Sequence, residues 1–308
     1  MLNRKLYLVV ILTFFVFIAS KTQGIQESEV DFSRLTGPYL GQKPPGMKPE
    51  VFAPDILPAS NYHTSPVFTP DGKEVFWKMQ GTKTITMMKI ENGFWTTPKE
   101  ITLSSNLNDF RDPCISPDNK KLFFLSKGVL PNQSQEKENI WFVERLKDGW
   151  SEPKPLDEDI NSHRLHWQVS VASNGNLYFT SRMTGIEDIY FSKYLDGKYQ
   201  KPESLGIAIN TEKMCETTPF ISPDENYIIF SRWDLADKNS FMQPYISFRN
   251  KDGTWDSAIK MDNIGYCLCP QVSPDGKYFF FLGIVNGEFR VMWVSAKVIK
   301  DLKQKEFK

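Results

Sequence analysis

Cysteine and histidine are scarce in this sequence of 308 residues, which contains four cysteines and three histidines. Four cysteines are too few for a small scaffold held by disulfides, so a hydrophobic core must supply the stability. The cysteines and histidines show no spacing that is typical of a zinc site. We therefore predict no metal and no other cofactor.

The sequence also has no excess of charge of either sign, since 37 basic residues balance 37 acidic ones. A nucleic-acid binder needs a basic stripe to contact phosphates, so nucleic acid is not an expected partner. No Ser-His-Asp or zinc-protease motif occurs either. These absences favour a binding function over catalysis.

Helix-length amphipathic stretches are scarce, and one apolar run stands out near the N-terminus. It covers fourteen residues, 6–19, and follows Arg4 and Lys5. That length is short for a membrane span and typical of a signal peptide, and no cysteine follows that would indicate a lipid anchor. We expect residues 1–24 to be a cleaved signal peptide and the protein to be secreted or periplasmic, without a membrane span after cleavage. A retained N-terminal anchor is the alternative.

What the sequence does contain is an internal repeat built on a Pro-Asp turn. Its five copies align at Asp71, Asp118, Ser173, Asp224 and Asp275. These positions are 47, 55, 51 and 51 residues apart, and the third copy is degenerate. One such motif would indicate a single turn, whereas five in register indicate an array of similar units.

Each copy of the repeat predicts four strands, which we label a to d. In the first turn proline presets φ, aspartate bonds its own backbone, and glycine or asparagine accepts a positive φ. A β-branched or aromatic run follows, such as residues 122–124. A second turn, Asn-Gly or Asp-Gly, is the strongest short hairpin signal. It occurs at residues 92–93, 148–149, 196–197 and 252–253.

The fifth copy lacks a fourth strand after residues 289–294, and residues 51–57 resemble the fourth strand of the first copy, residues 95–101. We therefore predict that the N-terminal strand completes the last blade and closes a ring, which removes the exposed sheet edges. The predicted fold is all-β, a five-bladed β-propeller of four-stranded blades, with six blades as the alternative.

The predicted propeller covers residues 51–300. Residues 25–50 are rich in proline and glycine and are expected to form an N-terminal arm, and residues 301–308 a charged C-terminal tail.

The Ser-Pro-Asp-Gly-Lys turn at residues 273–277, followed by an aromatic strand, resembles the WD-like β-propeller repeat of the TolB type. The resemblance covers about residues 50–296 and implies an exported bacterial propeller. It is specific for the fold but not for the function, because members of the family include receptors, scaffolds and enzyme-attached domains. The best-known relatives have six blades, whereas we count five here.

The alternation of strands places the a–b and c–d turns on one face and the longer b–c and d–a loops on the other. Binding sites on rigid scaffolds lie on such loops, so we expect the site at the channel mouth of the second face. The candidate ligand-binding residues there are His63, Arg111, Asp112, His166, Trp167, Arg182, Glu216 and Arg232.

The candidate residues include more cations than acids, which favours an anionic partner. Arg182 and Arg232 could hold a carboxylate or sulfate bidentately, or they could be structural and pair with Asp188 or Asp234. The histidines could equally be surface residues without a role. We therefore predict an exported, non-enzymatic binding or protein-interaction module for a protein or an anionic small molecule or glycan.

The alternative function is a carbohydrate-active enzyme resembling a glycoside hydrolase. Such an enzyme needs two carboxyl groups about 5–10 Å apart. Asp112 and Glu216 are the mouth acids that could serve.

Three cysteines, Cys215, Cys267 and Cys269, fall at equivalent mouth positions of adjacent units. In an oxidising compartment a disulfide between Cys215 and one of the other two is expected. Cys114 falls within a strand and is interpreted as a core residue.

Overall fold

The computed structural model describes residues 30–59, 64–79, 81–130, 133 and 135–306, except for the side chains of Leu165, His166, Lys305 and Glu306. The predicted signal peptide and His63 lie outside the described residues. Within these ranges, no helix combines the length and the hydropathy that crossing a bilayer requires.

The chain forms five antiparallel four-stranded blades arranged as a β-propeller, which confirms the predicted fold and the count of five. In blade 1 strands a to d are Val67–Phe68, Glu74–Lys78, Ile85–Glu91 and Lys99–Ile101. In blade 2 they are Asn108–Ile115, Lys121–Gly128, Lys137–Leu146 and Lys154–Pro155.

The remaining blades repeat the order. In blade 3 the strands are Leu165–Val171, Leu177–Ser181, Asp188–Ser192 and Glu203–Ser204. In blade 4 they are Met214–Ile221, Tyr227–Asp234, Gln243–Phe248 and Ile259–Lys260. In blade 5 strands a to c are Leu268–Val272, Tyr278–Val285 and Glu288–Ser295, and strand d is Glu50–Val51 from the N-terminal side.

The N-terminal segment closes the ring as the sequence predicts, but the pairing strand is Glu50–Val51 and not residues 51–57, most of which form a turn. Glu50 pairs with Trp293 and Val51 with Met292. The next residue, Phe52, donates its backbone N–H to Val291 O over 2.8 Å. Its ring is fully buried and lies 4.9 Å from the ring of Trp293, between centroids. Closure therefore combines a short ladder with an aromatic contact that buries the seam.

The a–b turn of blade 2 shows how the repeated residues act. Asp118 Oδ1 accepts hydrogen bonds from Ser116 Oγ at 2.6 Å and from the N–H of Lys120 at 3.0 Å. Ser116 Oγ in turn accepts from the N–H of Lys121 at 2.9 Å, and Asn119 has a positive φ of 60°. The motif thus satisfies the polar groups of its own turn, which explains why it can recur in each blade.

In the a–b turn of blade 3, the predicted alignment of the repeat is wrong by one residue. Asn174, rather than Ser173, takes the aspartate position, because its Oδ1 accepts from the N–H of Asn176 at 3.0 Å. Gly175 then supplies the positive φ, at 88°. The alignment error arose because this turn is one residue shorter: Val171 pairs with Leu177 here.

Two segments outside the blades pack on them. In the arm, which contains the short 3₁₀ turns Phe32–Arg34 and Tyr39–Gly41, Leu40 is fully buried. At the other end of the chain Lys297–Glu306 is a helix whose Ile299 packs into the core of blades 4 and 5. The expected tail is thus helical as far as residue 306. A further one-turn helix, Glu158–Asn161, lies between blades 2 and 3.

Candidate functional site

Strand a of each blade lines the channel, and we name the channel's two ends by what surrounds them. The turn end is surrounded by the a–b turns, and the loop end by the starts of the strands a and the b–c loops. Four strands a contain a left-handed residue that is not glycine at the loop end, a rare conformation that side chains disfavour. Blade 2 has two such residues, Asp109 (φ 60°) and Asp112 (φ 47°), and the other three are Trp167 (φ 64°), Thr218 (φ 50°) and Cys269 (φ 51°).

The left-handed residues coincide with breaks in strand pairing, such as that between Arg111 and Cys114 in blade 2. A bulge of this kind re-aims a side chain and occurs next to functional sites. The residue after the bulge is proline in three of these blades and Gln168 in blade 3. A residue before proline normally prefers an extended backbone, so the tertiary structure overrides local preference here.

Asp112 is a buried carboxyl group at the loop end of strand a in blade 2. It is 2 % exposed, and its Oδ1 has no hydrogen-bond partner within the described part of the chain. Burial raises the pKa of Asp112 to about 7, Glu138 adds to the effect, and Arg111 and Lys78 oppose it. The buried hydroxyl of Ser65, from blade 1, is also without a partner. Asp112 can therefore exchange a proton near neutral pH.

Gln168 divides the channel into two ends. Its Nε2 donates to the backbone oxygens of Pro219 at 3.1 Å and of Pro270 at 3.0 Å, which belong to blades 4 and 5. Its side chain is buried. A single amide therefore connects three strands a across the channel. The sequence contains one signal of this role, since blade 3 has glutamine where neighbouring blades have proline.

Arg232 and Glu216 form a buried ion pair, with Arg232 Nε 2.8 Å from Glu216 Oε1 but not directed at it as a hydrogen bond. The side chains are 10 % and 0 % exposed. The second nitrogen, Arg232 Nη2, donates to Ile209 O at 2.7 Å. Thr211 donates its hydroxyl and its backbone N–H to the carboxylate of Glu216. Burial raises the pKa of Glu216 to about 7, against the opposing effect of Arg232.

Arg182 has a different setting, since its guanidinium is 37 % exposed and forks onto the buried carboxylate of Glu187. Both arginines thus pair with acids, although not with Asp188 or Asp234. Glu187 and Glu216 were missed as their partners because each lies on a neighbouring turn or strand whose approach only the fold defines.

A third charged group lies between blades 1 and 2. Arg111 is bonded to Asp109 through two guanidinium nitrogens and lies 3.4 Å from Glu138. The buried Lys78 donates to Thr82 O and lies 3.5 Å from Asp109. Burial lowers the pKa of Lys78, opposed by Asp109.

These side chains border an open cleft of about 630 Å³. Its lining includes four cations and two acids: Lys78, Lys83, Arg111, Lys127, Asp109 and Glu136. Cations thus outnumber acids in the lining of this cleft at the loop end. Arg182 lies on the adjacent blade 3, whereas Arg232 lies one blade further away, on blade 4.

The side chains of the two predicted mouth histidines are not described by the structure. His63 lies outside the described residues, and His166 lies in strand a of blade 3 with its side chain not described. The third histidine, His163, is buried, and its Nδ1 lies 3.3 Å from Ser181 Oγ. Burial lowers the pKa of His163. Among the described residues no group of histidines, cysteines and acids is arranged to hold a metal.

All four cysteines lie in the described part of the chain, and the structure forms no disulfide between them. Cys215 faces the backbone of Glu187 on blade 3, whereas Cys269 faces the backbone of Ser65 on blade 1. Cys267 is buried in the apolar core between blades 4 and 5. The geometry does not support the expected link, because the thiols point to different neighbours. Cys114 is buried, as its core interpretation requires.

No protein-family model matches this sequence, and no curated protein sequence matches it. Solved structures do share its fold. TolB from Acinetobacter baumannii superposes with a TM-score of 0.52 at 19 % identity, over 76 % of this chain and 52 % of that one, so this chain matches about half of it. A putative TolB from Agrobacterium tumefaciens gives 0.51 at 18 % identity, over 75 % and 76 %.

An endo-arabinase from Bacteroides thetaiotaomicron gives a TM-score of 0.51 at 12 % identity, over 77 % of this chain and 94 % of that one. At such low identities the likeness extends to the propeller fold alone. The likeness does not favour one function over another, because two TolB proteins and an endo-arabinase superpose on this chain equally well.

Proposed function

We propose that this protein is an exported binding module that takes an anionic ligand at the loop end of its channel. The observation that carries the proposal is the cleft of about 630 Å³ between blades 1 and 2 with its excess of cations. Export is inferred from the signal-like residues 1–24. The proposed ligand is a glycan or small molecule that bears carboxylates.

The cations of the cleft differ in how far they are free to contact a ligand. Lys83 and Lys127 are exposed, and among the described residues no hydrogen bond or ion pair holds their ammonium groups. Arg111 is 29 % exposed and already neutralised in part by Asp109. Lys78 is buried and contributes its charge from below. The two exposed lysines would contact the ligand directly, and Arg111 would orient it.

Arg182 adds a second, weaker positive charge at the loop end. Its side chain is 37 % exposed, but it is paired with Glu187. Arg232 has no comparable access. Its side chain is 10 % exposed and it already contacts Glu216 and Ile209 O. The structural interpretation of Arg232 is thus better supported than the ligand-binding one.

The glycoside-hydrolase alternative is supported by one observation, the pKa of about 7 at Asp112, which suits a general acid. Its second carboxylate fits the reaction less well. Glu216 is fully buried, and Thr211 and Arg232 occupy its oxygens. A nucleophile or base needs an accessible oxygen, so the binding module is the better supported of the two functions.

The test is calorimetric titration with an oligouronate and with a neutral glucan of equal length, each in low and moderate salt. We expect the oligouronate alone to bind, and its affinity to fall as salt rises. The double variant Lys83→Gln/Lys127→Gln should lose at least about tenfold in affinity, given the strength of charge-assisted contacts.

The matched control is Lys120→Gln/Lys147→Gln, which removes the same charge from exposed lysines beside turns on the opposite face. It should leave the affinity unchanged. Equal losses in the two double variants would show that net charge and not the cleft governs binding, and binding of the neutral glucan alone would overturn the proposal.

A further inference from the structure

The turn end of the channel holds a cavity of about 290 Å³ to which every blade contributes. Its wall includes one strand-a residue from each blade: Phe68, Ile115, Val171, Phe220 and Val272. Gln168 spans the channel between this cavity and the loop end, because it bonds the backbone of blades 4 and 5. The cavity is therefore distinct from the charged cleft.

The cavity has no Asp, Glu, Lys, Arg or His among the described residues that line it. Burying an unpaired charge in such surroundings is costly, so a ligand here must be uncharged. The wall contains the prolines of four a–b turns and the aromatic rings of Phe68, Phe220 and Tyr227. Aromatic rings pack well face to face or edge to face with another aromatic ring, which favours an aromatic ligand over a flexible chain.

Two polar groups give the cavity a hydrogen-bonding direction. Gln271 lines it and is half-buried, and within the described structure its side-chain amide makes no hydrogen bond. Ser170 Oγ accepts from the N–H of Ile221 at 3.0 Å, which leaves its hydroxyl proton for another acceptor. A mainly apolar hollow with a few placed polar groups is the usual form of a small-molecule site.

The volume of the cavity limits the size of the ligand that it can hold. An apolar protein cavity of about 150 Å³ accommodates benzene, so about twice that volume suits a bicyclic ring. We propose that the turn end binds a neutral aromatic molecule of one or two rings with a single hydrogen-bonding atom, of which indole is a simple representative. The Gln271 amide oxygen would accept the ring N–H, and the prolines would contact the ring faces.

The experiment uses the full chain with two probes, indole and its hydrocarbon isostere indene, measured by ligand-observed NMR titration. Both should bind the wild-type protein. Gln271→Leu keeps the volume and removes the polar group, so we expect indole to bind about fivefold more weakly and indene to bind as before, from the usual worth of one hydrogen bond.

Two further measurements locate the ligand. Val272→Trp should fill the cavity and abolish binding of both probes, with melting curves to show that the variant folds. A crystal soaked with indole gives the answer independently of that variant, since density is expected between the a–b turns. Lys83→Gln/Lys127→Gln is the control and should not change indole binding.

Several results would overturn the inference: no binding of either probe, indole density elsewhere, or equal weakening of indole and indene by Gln271→Leu. Because the oligouronate test concerns the other end of the channel, either site can fail while the other stands.

Discussion

At the turn end of the channel four of the five blades present the same Ser/Thr-Pro-Asp turn, whereas at the loop end the left-handed residue differs in every blade that has one. The cavity at the turn end is lined by uncharged residues, and the loop end carries buried and half-buried charges. The repeated residues satisfy the polar groups of their own turn, whereas the unrepeated ones contact other strands of the same blade or of another. Repetition thus marks the scaffold, and its interruptions mark residues whose contacts are specific to one blade.

The two ends also differ in how their acids ionise. At the turn end the pKa of Asp118 lies below its usual range, because hydrogen bonds from Ser116 and Lys120 outweigh the opposing effect of burial. At the loop end burial raises the pKa of Asp112 and of Glu216 to about 7. The same residue types therefore titrate in different pH ranges at opposite ends of one channel.

The largest expected effect comes from breaking the buried pair at the loop end. Arg232→Ala leaves Glu216 buried without its cation, which typically costs about 3–5 kcal/mol of unfolding free energy. Urea denaturation at pH 8 measures it. The cost should shrink toward pH 5, because a protonated Glu216 no longer needs Arg232.

The control for this experiment is Arg290→Ala, which removes a more exposed pair with Glu288 and should cost less than about 1 kcal/mol. Equal costs for the two variants would mean that Arg232 is no more important to the fold than a surface arginine. Arg232 would then return to the set of candidate ligand contacts.

A second, smaller effect sharpens the contrast in ionisation. The pKa of Asp112 is raised in the folded state, so the folded protein holds a proton that the unfolded chain has lost between about pH 4 and pH 7. Stability contributed by the protonated group is therefore present at low pH and is lost as pH rises toward 7. Linkage gives a loss on the order of 2–3 kcal/mol between pH 5 and pH 8.

Asp112→Asn cannot ionise and should flatten this part of the profile, which is measured by unfolding at pH 5, 6, 7 and 8. Glu216 should leave a residual slope in the same direction, and His163, whose pKa is lowered, acts in the opposite direction in both proteins. Taking the difference between wild type and variant removes both contributions. Parallel profiles would contradict the assigned pKa of Asp112.

The smallest of the three effects tests the boundary between the ends. Gln168→Leu removes two hydrogen bonds to buried carbonyl groups and should cost about 1–2 kcal/mol. Gln243→Leu is the matched control with a smaller expected cost, because Gln243 is a half-buried glutamine whose side-chain amide makes no hydrogen bond within the described structure. If Gln168→Leu is neutral while the control is not, the amide does not hold the blades together across the channel.

The features that the sequence predicted correctly are those that short segments specify. The number of blades follows from the recurrence of Pro-Asp turns, and the N-terminal closure follows from the missing fourth strand of the last copy. Both could be predicted because turn geometry and strand alternation depend on neighbours within a few residues. Two errors occur at this level. Ser173 was taken for Asn174 because the third turn is shorter by one residue, and the closing strand was placed at residues 51–57, whereas Glu50–Val51 forms it.

The residues of the site depended on tertiary contacts, between strands of one blade or between blades, which no local pattern specifies. The sequence placed Arg182, Arg232 and Arg111 near one mouth but could not show that Glu216, itself bonded by Thr211, pairs with the buried Arg232. It placed three cysteines at equivalent positions but not the directions of their thiols. The neutral cavity at the turn end was missed, because the turns there were assigned to the scaffold alone.

The sequence by itself determined the all-β character, the five repeated units and the way in which the ring closes, because these follow from hydrogen bonding and alternation along the chain. Only the tertiary structure decided which charges are buried, which are exposed, and that Gln168 separates the uncharged cavity from the charged loop end. Gln168 bonds residues 51 and 102 positions away in the chain, and Arg232 meets Glu216 across two strands of one blade, so neither contact is visible in a local pattern.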